Sequence, residues 1–126
     1  MFRDQIKNVL YWFGSTKLGY CFGKLFRGKG AILCYHSVLP HEEVKNMQGP
    51  EKNLAISDKY FENHLQYLKE NHEVISMDEM HDHILNDSSD FYVVITFDDG
   101  YKDNLDIALP LLEKYNMPAT IYITTR

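Results

Sequence analysis

The hydrophobic positions of this chain change period several times, from short unbroken apolar runs to stripes at helical spacing. The run "AILCYHSV" at 31–38 follows glycines and precedes Pro40, and it predicts a buried strand. Residues 39–56 are rich in charge and include Gly49 and Pro50, which predicts a loop too long to be an idle connector. Ser57 can cap a helix in which Phe61, Leu65 and Leu68 recur at i, i+4 and i+7 and form one apolar face. "EVISM" at 73–77 predicts a second short strand. Ser76 and Glu79 have the spacing of a capping box, opening a helix whose buried face is marked by Met77, Met80 and Ile84 and which the polar "NDSSD" ends. "FYVVITF" at 91–97 is almost wholly apolar and rich in β-branched and aromatic residues, as expected of a central strand covered on both faces. Leu105, Ala108, Leu109 and Leu112 predict a helix from Asp103 to Tyr115, kinked by Pro110, and "ATIYITT" at 119–125 opens another strand.

Strands alternating with helices imply an α/β fold with a parallel sheet, and about four parallel strands can be read here. The sequence has no internal repeat and no low-complexity tract. It divides into a leader, 1–30, and a single α/β body, 31–126.

Charge and cysteine usage remove some function classes. The net charge of −5 is unevenly placed, because residues 1–30 hold Arg3, Lys7, Lys17, Lys24, Arg27 and Lys29 against only Asp4. The acidic remainder argues against a nucleic-acid-binding body. Two cysteines, Cys21 and Cys34, are too few for a disulfide framework or a zinc ribbon, and Cys34 reads as a small buried hydrophobe in its strand. The leader's apolar runs fall short of the roughly 7 to 15 residues of a signal-peptide core and of any membrane span. Its aromatics and lysines fit either a helix packed on its own domain or peripheral contact with a membrane through residues 1–30. A cytoplasmic or membrane-face location follows as the expectation.

The chemistry concentrates in "VVITFDDGYKDN" at 93–104, where an apolar strand ends in Asp98 and Asp99. Open α/β sheets and α/β barrels place their ligands at the carboxyl ends of such strands. Neighbouring strand residues point to opposite faces, so two adjacent aspartates can share a site only where the backbone turns, which Gly100 permits. By itself "DDG" is also an ordinary turn sequence.

"TFDDGY" at 96–101, with "KDN", "ALPLL" and "NMPATIYIT" after it, "ILCYH" at 32–36 before it and "FENHLQYLKENHEVISMDEM" between, resembles the polysaccharide deacetylase family. The resemblance covers about residues 31–126. It implies an irregular (β/α) barrel, of which this chain holds the N-terminal part. It also implies a hydrolase that removes acetyl groups from N-acetylglucosamine-type glycans with a bound divalent metal, zinc foremost. Carried over by position, Asp98 is the general base and Asp99 a metal ligand, while His36, Tyr35, Gly100 and Tyr101 are pocket candidates. The division of labour is physically sound, since a cation activates a water and polarises the carbonyl while a free carboxylate takes the water's proton.

The chain departs from the family pattern in one large respect. The family's His-x-x-x-His motif, which supplies two further ligands, has no counterpart among the histidines 36, 41, 64, 72, 81 and 83, nor does a later histidine acting as general acid. His81 and His83 lie two apart on a helix and face different directions, and His41, His64 and His72 read as loop or solvated-face residues. A catalytic zinc site needs about three protein ligands, so the fragment by itself is expected to be inactive. Two rival readings are weighed. A magnesium-dependent phosphotransferase of the haloacid dehalogenase type wants Asp-x-Asp, which the adjacent pair disfavours, and a non-catalytic fragment or membrane-associated interaction module is the stronger competitor.

Overall fold

The computed structural model describes residues 28–86 and 90–125. Residues 1–27, which carry most of the leader and its predicted packing or membrane contact, lie outside the described residues. No described helix is long and apolar enough to cross a membrane.

The centre of the molecule is β5 (Tyr92–Phe97), the strand expected from "FYVVITF". It pairs in parallel along its whole length with β1 (Gly30–Tyr35), in a register running from Gly30 opposite Tyr92 to Tyr35 opposite Phe97. Its other edge takes β4 (Glu73–Val74) at the start and β6 (Thr120–Ile121) at the end, both parallel. The sheet is therefore four-stranded and parallel, as the alternating pattern predicts.

The reading of 31–38 as one strand needs correction. The chain leaves the sheet after Tyr35, passes through His36, and enters a separate two-stranded parallel sheet made by β2 (Ser37–Leu39) and β3 (Ala55–Ser57). The expected loop between them is also more ordered than its composition implies. It folds into α1 (His41–Asn46), opened by Pro40, and a 3-10 turn over Pro50–Leu54, both without a buried residue, so no apolar periodicity announced them.

Helix α2 (Asp58–Asn71) begins where Ser57 Oγ accepts from Tyr60 N, and it buries Phe61, Leu65 and Leu68 as their spacing requires. These meet Val93, Ile95 and Phe97, the odd-numbered face of β5, together with Val38, Ala108, Leu112 and Met117. Phe61, Leu65, Ile95 and Phe97 are wholly buried, each worth about 1.5–3 kcal/mol of transfer free energy. Helix α3 (Met77–Leu85) starts with the predicted capping box between Ser76 and Glu79. Only Met80 of its expected buried face is in fact buried, while Ile84 is 53% exposed. Met80 lies over Gly30, where an added Cβ would come within 2.5 Å both of the flexible Met80 Cε and of the backbone oxygen of Tyr92, and the second contact is the one that a side chain at Gly30 could not clear without moving the paired strands.

After the acidic pair the chain runs through a π turn (Asn104–Ala108) into α4 (Leu109–Tyr115). Pro110 has no N–H for the Asp106 carbonyl and its ring crowds that oxygen, and a wider turn relieves both. The consequence corrects the expected stripe. Leu105 and Leu109 face outward, and the buried set is Asn104, Ala108 and Leu112 at i, i+4 and i+8.

Candidate active site

The alternation of two parallel strands decides which side chains meet at their carboxyl ends. Leu33 and Tyr35 on β1 turn toward the core with Val93, Ile95 and Phe97, so Cys34 and its register partner Thr96 face the other way. The same alternation carries one step past each strand, to His36 and Asp98. Asp98 N still donates to Tyr35 O at 2.9 Å, which keeps the two strand ends in step.

Beyond Asp98 the backbone reverses. Asp99 has φ 69° and Gly100 φ 66°, so the turn expected of Gly100 starts one residue earlier, at a non-glycine held in the left-handed region. Such a conformation costs on the order of 1 kcal/mol and persists where neighbours hold it. Here Thr124 Oγ1 donates to Asp99 O at 3.2 Å, and Tyr122 N donates to Phe97 O at 2.8 Å. Ile123 packs within 3.4 Å of where a Cβ on Gly100 would stand. The turn swings Asp99 to the same rim as Asp98, and its Oδ2 lies 3.3 Å from His36 Nδ1.

Asp98 has a different neighbour. Cys34 Sγ donates to Asp98 Oδ2 at 3.3 Å, and Cys34 is an exposed free thiol, not the buried hydrophobe expected of its strand. Partial loss of hydration, the hydrogen bond to Asp98 and the nearby charges of Asp98 and Asp99 raise the Cys34 pKa above the ordinary thiol range, so it stands as a neutral donor. Ligand atoms of Cys34, His36 and Asp98 lie within 4.8 Å of one another, a metal-competent group among the described residues.

Two residues outside the sequence-derived site hold this rim. Asp103 accepts from Ser37 Oγ through Oδ2 and from Val38 N through Oδ1, each at 2.9 Å. The Asn104 amide, with its nitrogen turned to the two acceptors, donates to His36 O at 2.9 Å and to Asp103 Oδ1 at 3.0 Å. The pair thus pins the segment on which His36 rides. Asn104 is only 2% exposed, and its place at i, with Ala108 and Leu112 at i+4 and i+8, was the available signal in the sequence.

Tyr35 and the remaining histidines have other partners. Tyr35 packs edge-on against Phe61, and its hydroxyl meets His64 Nδ1 at 3.1 Å on the core side of β1, where burial raises its pKa. Tyr101 is 43% exposed just past the turn. His41 pairs with Ser57 Oγ, His72 sits against Tyr67 and Phe91, and His81 is beside Asp82. His83 bonds Asp90 O and packs edge-on to Tyr92.

Comparison with known proteins bears on the family and the fold. Residues 85–126 match the polysaccharide deacetylase family model. The Bacillus subtilis protein YxkH, whose name places it among the polysaccharide deacetylases, is 36% identical over 95 residues, covering 73% of this chain and 30% of the relative. The deacetylase PplD of Streptococcus pyogenes, solved with acetate, superposes with a TM-score of 0.61 at 29% identity, over 76% of this chain and 42% of that one. A de-N-acetylase from Aggregatibacter actinomycetemcomitans gives a TM-score of 0.59 at 31% identity, over 73% and 36%. The chain thus spans about a third of the length of these relatives, and its parallel sheet is part of a (β/α) barrel. The matched motif, the shared fold and the relatives together show that the chain is similar to part of the polysaccharide deacetylase domain.

Proposed function

We propose that this chain carries the water-activating part of a metal-dependent deacetylase site, with Asp98 as general base and Asp99 as metal ligand. In the whole protein the reaction would be hydrolysis of N-acetyl groups on N-acetylglucosamine-type glycans. The observation that carries the reading is the separation of two adjacent carboxylates onto one rim with different partners, Asp98 beside the Cys34 thiol and Asp99 beside His36.

The donors fit a divalent cation, since the Asp99 carboxylate and the His36 imidazole stand 3.3 Å apart and borderline ions such as zinc take both. Asp99 and His36 are the residues that would hold it in the catalytic arrangement. When bound, such an ion lowers the pKa of its water and polarises the acetyl carbonyl. The remaining work falls to the chain itself. Asp98 keeps one oxygen, Oδ1, outside its bond to Cys34, and that oxygen takes the proton of the attacking water. Asp103 and Asn104 hold the His36 segment so that its ring keeps its aim at Asp99. These residues supply fewer than the three or so ligands of a catalytic zinc, and so this chain alone is expected to release no acetate.

The test separates the two aspartates in a Cys34→Ser background, which leaves only nitrogen and oxygen donors at the rim. Calorimetric zinc titration should show binding weakened by Asp99→Asn and little changed by Asp98→Asn. The reverse order would overturn the assignment of base and ligand. Acetate release from chitooligosaccharides by the unmodified chain, lost in Asp98→Asn, would overturn the expectation that the site needs further ligands.

A further inference from the structure

We infer that Cys34, His36 and Asp98 form a second cation site, selective for thiophilic divalent ions, which overlaps the catalytic rim and takes Asp98 out of service as a base when filled. The inference rests on the reading of Asp98 as base for its consequence, though not for the site itself.

The geometry comes from strand alternation. Cys34 and His36 are two residues apart at the end of one strand, and Asp98 ends its parallel neighbour, so the three side chains leave the sheet on one side. Their ligand atoms already lie within 4.8 Å of one another. Tetrahedral zinc with bonds of about 2.0–2.3 Å places its ligand atoms about 3.3–3.8 Å apart. Cys34 Sγ and Asp98 Oδ2, at 3.3 Å, stand at that separation, and the remaining closure is about an ångström of side-chain rotation. Three protein ligands leave a fourth position for water.

Composition sets the preference. A site with one thiolate, one imidazole and one carboxylate favours zinc, cobalt and cadmium over magnesium or calcium, which take oxygen donors. Binding replaces the thiol proton by the cation. The sulfur–hydrogen bond breaks, a sulfur–metal bond forms with the same electron pair, and one proton is released to solvent. The hydrogen bond from Cys34 to Asp98 is lost in the same event, and Asp98 passes from proton acceptor to metal ligand. His36 is the shared member, because its Nδ1 also faces Asp99 Oδ2 at 3.3 Å, so filling this site withdraws a partner from Asp99. A thiophilic ion in excess would therefore disable both carboxylates together.

The probe is cobalt(II), titrated into the 126-residue chain in a Cys21→Ser background so that Cys34 is the single thiol. Bound thiolate gives a sulfur-to-cobalt charge-transfer band in the near ultraviolet, which nitrogen and oxygen ligands do not. The expected result is a band saturating at one equivalent, with one proton released. It should disappear in Cys34→Ser, weaken by at least about tenfold in apparent affinity in His36→Gln and Asp98→Asn, and persist in Asp99→Asn. Far-ultraviolet circular dichroism identifies any variant that fails to fold, for which Cys34→Ala, His36→Asn or Asp98→Ser takes its place. Cobalt bound without the band, or a band indifferent to His36 and Asp98, would overturn the site. A normal band combined with Asp98-independent zinc binding in the Cys34→Ser chain is the result expected if both sites exist. A normal band alongside a failed Asp99 test would leave this site standing and remove only the catalytic assignment.

Discussion

Removing the Asp103 carboxylate should destabilise the chain far more than its single surface-facing sequence context suggests. Its two oxygens accept from Ser37 Oγ and Val38 N at 2.9 Å, and Asn104 adds a third bond. Ser37 is 8% exposed and Val38 fully buried, so neither donor has ready access to water. In Asp103→Ala the Val38 N–H is left unpaired, at about 1–3 kcal/mol, and losing hydrogen bonds to a charged acceptor adds about 1.5–3 kcal/mol. The Ser37 hydroxyl can turn to another acceptor and recovers part of this, which gives an expected loss of about 3–4 kcal/mol. Asp103→Asn keeps an oxygen for Val38 N and loses chiefly the charge, at about 1 kcal/mol. The measurement is urea unfolding by far-ultraviolet circular dichroism. Asp106→Ala, which breaks only an exposed pair with Lys102, serves as a control expected within about 0.5 kcal/mol of the parent. If Asp103→Ala lay within about 1 kcal/mol of the parent, or if the Asn and Ala variants were equal, the idea that Asp103 pins β2 to the π turn would be wrong.

Two further predictions concern single groups. Cys34, whose pKa stands above the ordinary thiol range through lost hydration and its bond to Asp98, should be alkylated by iodoacetamide with a pH midpoint above that of a free cysteine, and Asp98→Asn should move the midpoint down; an unchanged midpoint would contradict the contact. Ser76→Ala should cost about 1 kcal/mol through loss of the α3 cap. The Ser76 hydroxyl and N–H hold the Glu79 carboxyl below its ordinary range, so the cap is intact above the unfolded glutamate pKa of about 4.3 and is lost as pH falls through the lower folded value. Hydrogen exchange in 77–85 that is insensitive to acid would refute this.

What the sequence made legible followed from strong local signals. Phe61, Leu65 and Leu68 repeat at helical spacing and are buried as that spacing demands, and the Ser76–Glu79 box is a two-residue signature that closes by itself. "FYVVITF" could hardly be other than a central strand. The failures each have a physical cause. The break at His36 depends on a second sheet whose partner, Ala55–Ser57, lies far along the chain, and no local pattern records a long-range pairing. The π turn moved the buried face off Leu105 and Leu109 because one extra residue per turn rotates the stripe, an effect that Pro110 hints at but does not quantify. Helix α1 buries nothing, so it has no apolar period to read.

The case of Cys34 goes further, because its misreading came from treating residue type as stronger than parity. Cysteine is usually buried, but in a strand whose next residue, Tyr35, turns into the core, Cys34 has to face the other side with the i+2 residue, His36. The spacing Cys-x-His at a strand end therefore puts both side chains on one side of the sheet. The same reasoning bears on Asp98, the proposed base. A carboxylate accepting a thiol hydrogen bond on Oδ2 presents Oδ1 to water, in an orientation set by Cys34 and not by the turn alone. Replacing Cys34 by serine retains a donor at that point, whereas alanine removes it and frees the carboxylate to rotate. If the orientation of Asp98 matters to its proposed role as base, serine should preserve that role and alanine should not, although both abolish the thiophilic site. That difference separates the contribution of the thiol as hydrogen-bond donor from its contribution as metal ligand.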